Sequence, residues 1–317
     1  MTYLPLKMQP AYKEYLWGGN RLKTKFNKKD APSVTAESWE LSCYADGLSI
    51  VADGPLAGTP VAEFDPSCWG KNCTKDAFPI IVKLIDAKKN LSIQVHPSDS
   101  TALSKLGEHG KAEMWYVVEC EPQASIYLGF SKEVTREEVL ERAENGTICD
   151  VLNKIQVEKG DVFYILPGTI HAIGAGIVIA EIQQNSNTTF RVYDYKRVGS
   201  DGKERPLHLE RATAVLDYHP IVPSECKGTS TVQCPEFSLT EMFSCKYFQA
   251  YRLDVRSNAV LNCDERSFQH ILCVEGGCKI NYRNQLFEMH TGDSYFLPAS
   301  LGEYQIDGQC CILLSRV

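Results

Sequence analysis

Gly-Asp-Val-Phe-Tyr-Ile-Leu-Pro at positions 160–167 returns as Gly-Asp-Ser-Tyr-Phe-Leu-Pro at positions 292–298. Each copy opens on a turn-forming pair, runs through apolar and aromatic residues that suit a pleated sheet, and stops at a proline that cannot continue the ladder. The same pattern surrounds the first copy. Glu113 to Glu119, Ser125 to Phe130 and Ile177 to Gln183 are runs rich in Val, Ile, Tyr and Phe, closed by Gly, Pro, Asn or Asp. Short strands punctuated in this way predict a mainly β sandwich or barrel, and a shared strand motif in each half of the chain predicts two of them.

Length supports the division, because 317 residues exceed the size at which one hydrophobic core usually keeps growing. Tyr218 to Glu236, with Pro220, Pro223 and Pro235, has little periodicity and reads as a linker. The expected domains are therefore 1–230 and 231–317. Helical signals are few. Thr-Arg-Glu-Glu from Thr135 forms a capping box with Glu138 ahead of Val139, Leu140 and Ala143, and predicts a helical insertion over about 133–155. A second helix is expected over about 207–217, just before the change of domain.

Composition narrows the function classes. A net charge of −7 argues against a nucleic-acid groove, which needs an extended basic surface. Runs such as Val162 to Pro167 fall far short of the roughly 20 apolar residues that cross a bilayer. The start of the chain lacks the charged, apolar and small-residue regions of a secretory leader. Thirteen cysteines without C-x-x-C pairs fit a reduced, cytoplasmic setting, where most act as small buried hydrophobes. An anionic substrate would need a local cluster of Lys and Arg.

One constellation carries chemistry. Leu91-Ser-Ile-Gln-Val-His-Pro97 alternates, so Gln94 and His96 share one strand face while Ile93 and Val95 take the other. Lys111, Glu113 and Trp115 share a face in the same way. The first Gly-Asp motif leads through Gly-Thr-Ile to His171, whereas the second leads to Gly302 and offers no histidine there. Gln94, His96, Glu113 and His171 make a four-ligand zinc set, one ion per chain, because imidazole and carboxylate suit this ion. Zinc has no redox chemistry, so the expected work is polarising a carbonyl and stabilising an enediolate. Lys83 and Lys111 supply nearby positive charge, and the Arg191 guanidinium suits a phosphate or a developing oxyanion.

With these residues in hand, the chain resembles type I mannose-6-phosphate isomerases of the short bacterial form, cupin proteins, over nearly its full length. The resemblance rests on Tyr15 to Gly19, Glu37 to Glu40, Leu91 to Pro97, Lys111 to Trp115, Leu166 to Ala172 and Glu181 to Tyr195. It implies two jelly-roll cupin domains, the second without metal ligands, and zinc on the same four residues. It further implies interconversion of mannose 6-phosphate and fructose 6-phosphate through a cis-enediol. Arg191, Lys111, Lys83 and Glu181 are then the expected catalytic groups, with Ser92, Trp17 and Asn187 from the matching segments as substrate contacts. Many relatives carry aspartate where this chain has Asn187, and an amide cannot accept a proton at neutral pH. Either Glu181, a lysine or His171 takes the proton transfer here, or the aspartate is not the base in the family.

Two other readings share the motifs. A cupin dioxygenase would use iron and begin its ligand set with His-x-His, where Gln94 stands here. A non-catalytic sugar-binding cupin would use four protein ligands to close a structural zinc site, but has no need of the gathered lysines and arginine. The expected partner is a small sugar phosphate, with no nucleic acid and no membrane. Monomer and dimer are both compatible with the sequence.

Overall fold

The computed structural model describes residues 4–74, 77–106, 109–199, 202–222 and 229–317. Pro223, at the centre of the expected linker, lies outside the described residues. Among the described residues strands dominate and helices are few, in line with the turn spacing.

Two antiparallel sheets form the N-terminal part. The first runs in the order Val162–Ile165, Glu113–Cys120, Ile177–Gln184, Ile80–Ala87, Glu37–Leu41 and Ala11–Lys13. The second runs Phe190–Tyr193, Ile93–Val95, His171–Ile173, Ser125–Phe130 and Leu152–Gln156. Ile85, Trp115, Phe163 and Ile179 from the first meet Ile126, Leu128 and Ile173 from the second in one buried cluster. The sheets thus close face to face on a shared interior, the jelly-roll arrangement.

The outer faces are covered differently. Ile80, Val82, Leu84, Met114 and Tyr116 of the first sheet pack against Phe248, Phe268, Leu272, Phe296 and Leu313 of the C-terminal part. Burial on both faces explains why Ile-Ile-Val-Lys-Leu-Ile-Asp-Ala at 80–87 shows no alternation. The outer face of the second sheet, including Ile93 and Val95, lies under Val139 and Ala143 of the helix Arg136–Asn145 and Ala212 of the helix Leu209–Thr213.

Thr135 caps the longer of these helices by accepting a 3.2 Å bond from the Glu138 amide, and Gly146 ends it in the left-handed region. Only half of the capping box forms, because the Glu138 carboxylate bonds Lys132 and Arg142 instead. The helix expected over 207–217 is shorter than its signal. The chain leaves it after Thr213, and the Asp217 amide goes to the Gly168 carbonyl at 2.9 Å.

In the C-terminal part, strands from Thr229–Gln233 to Gly302–Arg316 pair antiparallel around a second apolar interior that includes Leu253, Ile271, Met289, Tyr304 and Ile312. The N-terminal strand Leu6–Gln9 joins this sheet by pairing with Ser294–Leu297. The two Gly-Asp motifs build the same turn. Gly160 and Gly292 have φ of 99° and 90°, where glycine is the natural occupant. The Asp161 and Asp293 carboxylates accept from the amides three residues earlier, Glu158 and His290, at 2.7 and 2.9 Å. Among the described residues no helix is long and apolar enough to cross a membrane.

A buried ion pair locks the two parts together. Glu40 Oε2 accepts from Lys28 Nζ at 2.7 Å and from Ser294 Oγ at 3.0 Å, while Lys28 also donates to the Gly292 carbonyl. Lys28→Met leaves the Glu40 carboxylate buried without its cation, which costs about 3–5 kcal/mol. Urea unfolding should show a lowered midpoint, partly restored in Lys28→Met/Glu40→Gln; an unchanged midpoint would show that the pair does not lock the parts.

Candidate metal centre and active-site cleft

Register across the two sheets gathers the polar residues of the interior. On the second sheet Gln94 faces His171 on one neighbouring strand and Arg191 on the other. On the first, Glu181 faces Lys83 on one side and Trp115 on the other. His171 is brought in by the Pro167-Gly168 turn, whose Gly168 amide donates to the His96 carbonyl at 2.9 Å.

His96, Glu113 and His171 are fully buried, and their ligand atoms lie within 4.8 Å of one another. His96 Nδ1 lies 2.9 Å from the Thr188 carbonyl and His171 Nδ1 2.9 Å from the Thr169 carbonyl. A carbonyl only accepts, so each Nδ1 carries the proton and each Nε2 presents a lone pair. Burial keeps both rings neutral, pushing His96 down to about 3 with help from Lys111, and lowering His171 as well. The Nε2 atoms then stand 3.4 and 3.3 Å from the two Glu113 oxygens. Burial alone would favour a protonated Glu113, yet the Lys111 ammonium beside it holds its carboxyl well below the usual carboxylate range. Glu113 Oε1 is buried without a hydrogen-bond donor.

Lone pairs facing carboxylate oxygens at this range repel unless a cation lies among them, so this donor set fits a divalent metal. Lys111 Nζ supplies part of the needed charge, donating to Glu113 Oε2 and lying 3.2 Å from His96 Nε2. The Gln94 amide reaches His171 Nε2 at 3.4 Å. A flip of this amide would present its oxygen in the same place, beside the three-residue donor set.

Above these residues opens a cleft of about 730 Å³, including its mouth, lined by Trp17, Lys83, Ser92, Gln94, Lys111, Glu181, Asn187 and Arg191 among others. Every site residue expected from sequence thus lies at the cleft or just beneath it. Trp115 sits between the two layers, packing its ring edge-on to His171 with centroids 5.4 Å apart and donating Nε1–H to Glu181 Oε1 at 3.0 Å. Burial, reinforced by Glu113 and Glu37 against the pull of Lys111 and Lys83, raises the Glu181 carboxyl. Burial lowers Arg191, and Arg205 adds to this. Asn187 lies near the rim, its amide 3.4 Å from Asp46.

Residues 5–134 match the family described as phosphomannose isomerase type I, catalytic domain. Residues 238–317 match mannose-6-phosphate isomerase, cupin domain. The probable mannose-6-phosphate isomerase GmuF of Bacillus subtilis is 36% identical over the whole of both chains. ManA of the same organism is 34% identical over the whole of both, and the mannose-6-phosphate isomerase of Streptococcus mutans 33% identical over 98% of each. The chain belongs to the type I phosphomannose isomerase family. Its fold agrees, since the crystal structure of the mannose 6-phosphate isomerase from Bacillus subtilis superimposes with a TM-score of 0.92 at 31% identity, covering 99% of this chain and all of that one. Phosphomannose isomerase structures from Salmonella typhimurium, near 14% identity, share the fold at TM-scores around 0.77.

Other residues at or behind the cleft of this type I phosphomannose isomerase carry weaker signals in the sequence. Glu37 lines the cleft 3.6 Å from Lys83, and its place one turn of the pleat from Trp39 in Glu-Ser-Trp-Glu was an available signal. Arg205 lines it from an irregular run before Pro206 that carries no periodicity. His208 grips Arg191 from outside, its Nδ1 accepting the Arg191 amide at 3.1 Å and its own amide donating to the Arg191 carbonyl at 2.8 Å. Removing one imidazole should unload the centre: purified His171→Ala should retain less than about a tenth of the wild-type metal affinity, given the cost of disturbing even the outer partners of such sites. Equilibrium dialysis against a divalent metal measures this, and wild-type affinity in the variant would exclude His171 from the ligand set.

Proposed function

We propose that this chain interconverts mannose 6-phosphate and fructose 6-phosphate with one zinc ion held by Gln94, His96, Glu113 and His171. The observation that supports it is a buried set of unprotonated donors opening directly into a cleft rich in lysine and arginine. Bound there, zinc supplies Lewis acidity toward the substrate's carbonyl and hydroxyl oxygens without any redox change.

The protein's own groups divide the remaining tasks. Glu181, whose burial raises its carboxyl above the ordinary carboxylate range, is the proton carrier, since a carboxyl raised in this way can hold a proton and return it. Its Oε1 is held by Trp115, and its Oε2, which faces Lys83 at 3.4 Å, is the oxygen that moves the proton. That oxygen takes the C2 proton of the open-chain aldose, and the C–H electron pair becomes the C1–C2 double bond of a cis-enediol as O1 gains a proton. Return of the carried proton to C1, as O2 gives its proton back to the group that protonated O1, leaves the carbonyl at C2 and every protein group as it began. Lys83 and Lys111 offset the negative charge that develops beside them.

At the arginine end, Arg197 is held by Asp194 and the Asn90 carbonyl, while Arg191 and Arg205 line the cleft, with Arg205 Nη1 also 3.6 Å from Asp194. Arg205 holds the phosphate end of the substrate, and Arg191 stabilises the oxyanion that develops at the reacting carbons. Asn187 leaves the reaction class unchanged in this scheme, because Glu181 carries the proton.

A coupled assay that follows fructose 6-phosphate should show turnover that a chelator removes and zinc restores; turnover that persists after complete metal removal would overturn the metal's role, and stoichiometric iron with oxygen uptake would favour the oxygenase reading. Arg191→Ala should keep its zinc yet lose on the order of 100-fold to 1000-fold in kcat. Arg205→Ala should instead raise KM by on the order of 10-fold to 100-fold. Near-wild-type kinetics in either variant would remove that arginine from the scheme.

A further inference from the structure

A turn of the second barrel contacts the segment that follows the strand Ile93–Val95. Strands Phe237–Ser244 and Gln249–Val255 are joined by a short turn, and Tyr247 on that turn donates its hydroxyl to Asp99 Oδ2 at 2.6 Å. The other Asp99 oxygen accepts the Gly110 amide at 2.9 Å and the Gln184 side-chain amide at 3.0 Å. Gln184 in turn accepts the Ala112 amide at 2.9 Å on its Oε1, and its backbone amide donates to the Ala112 carbonyl at 3.1 Å. Between these held residues stands Lys111, whose own amide donates to the Pro97 carbonyl at 3.1 Å.

The fit is close. A side chain on Gly110 would place its first carbon 2.4 Å from the Asp99 nitrogen and 2.6 Å from the Ser98 carbonyl carbon, so the 98–99 backbone lies directly on Gly110. A carboxylate that accepts three donors, one of them a hydroxyl at 2.6 Å, is a strong and directional anchor. The hydrogen bonds from Tyr247, Gly110 and Gln184 hold its carboxyl below the ordinary range although burial acts the other way.

We propose that Tyr247 is a positioning residue for the isomerase: acting through Asp99 and Gln184, the turn of the second barrel fixes the backbone on both sides of Lys111 and so sets where the Lys111 ammonium stands in the cleft. The inference rests on the reading of Lys111 as a working group of that cleft. It gives the second barrel, which holds no cluster of metal-capable His, Cys, Asp or Glu among the described residues, a direct part in the reaction.

The test uses the zinc-loaded full chain and its Tyr247→Phe, Asp99→Ala and doubly substituted variants. Tyr247→Phe should keep its zinc content and overall fold, lose on the order of 10-fold in kcat, and show faster hydrogen exchange at the amides of Gly110 and Ala112. Because both variants break one chain of bonds, Tyr247→Phe should add less than about twofold in the Asp99→Ala background. Wild-type exchange at those two amides, an unchanged kcat, or losses that multiply in the double variant would each overturn the proposal. A wild-type chain inert toward mannose 6-phosphate would instead bring down the isomerase reading, and with it the catalytic part of this proposal, while the exchange data would still decide whether the clamp exists.

Discussion

Glu113 is a carboxylate with no access to water, and the interior around it is organised by that fact. Taking such a charge out of water costs several kcal/mol even after the surroundings relax. The barrel answers with two imidazoles fixed in the tautomer that turns lone pairs inward, one ammonium, and no donor at all for Oε1. Three carboxylates, Glu37, Glu113 and Glu181, meet two lysines, Lys83 and Lys111, in this region. That is one cation short of balance. A divalent metal among the donors would turn this deficit into a net charge of about +1, a local excess suited to an anionic substrate.

The rest of the fold holds this arrangement still. Strand register sets the functional residues in cross-strand rows, so their spacing follows from backbone hydrogen bonds rather than from flexible loops. Burial of the first sheet on both faces keeps the strands that carry Lys83, Glu113 and Glu181 from moving independently. The second barrel provides one of those covers through Phe248, Phe268 and Phe296, and it is locked in place by Lys28 and Glu40. It is therefore part of the rigid support for the chemistry and not an appendage to it.

Much of this was legible in the sequence because strand periodicity is strict. Alternation placed Gln94 and His96 inward and Ile93 and Val95 outward, and the structure seats the latter pair under the helices. The Gly-Asp motifs were readable as a repeat because each turn needs a left-handed glycine and an aspartate that bonds back three residues. Arg205 was not legible, since an irregular loop reaches the cleft through tertiary packing alone. Nor was His208, whose contact with Arg191 depends on how the Leu209–Thr213 helix docks on the second sheet. The N-terminal strand's pairing with Ser294–Leu297 was hidden for the same reason: residues so distant in the chain leave no local pattern.

The place where a metal settles is the decisive observable. Diffraction from zinc-loaded crystals, collected on both sides of the zinc absorption edge, locates that ion directly. The expected result is a single anomalous peak per chain within about 2.0–2.2 Å of His96 Nε2, His171 Nε2, one Glu113 oxygen and the Gln94 amide oxygen. A peak elsewhere, or zinc bound with Glu113 left uncoordinated, would contradict it.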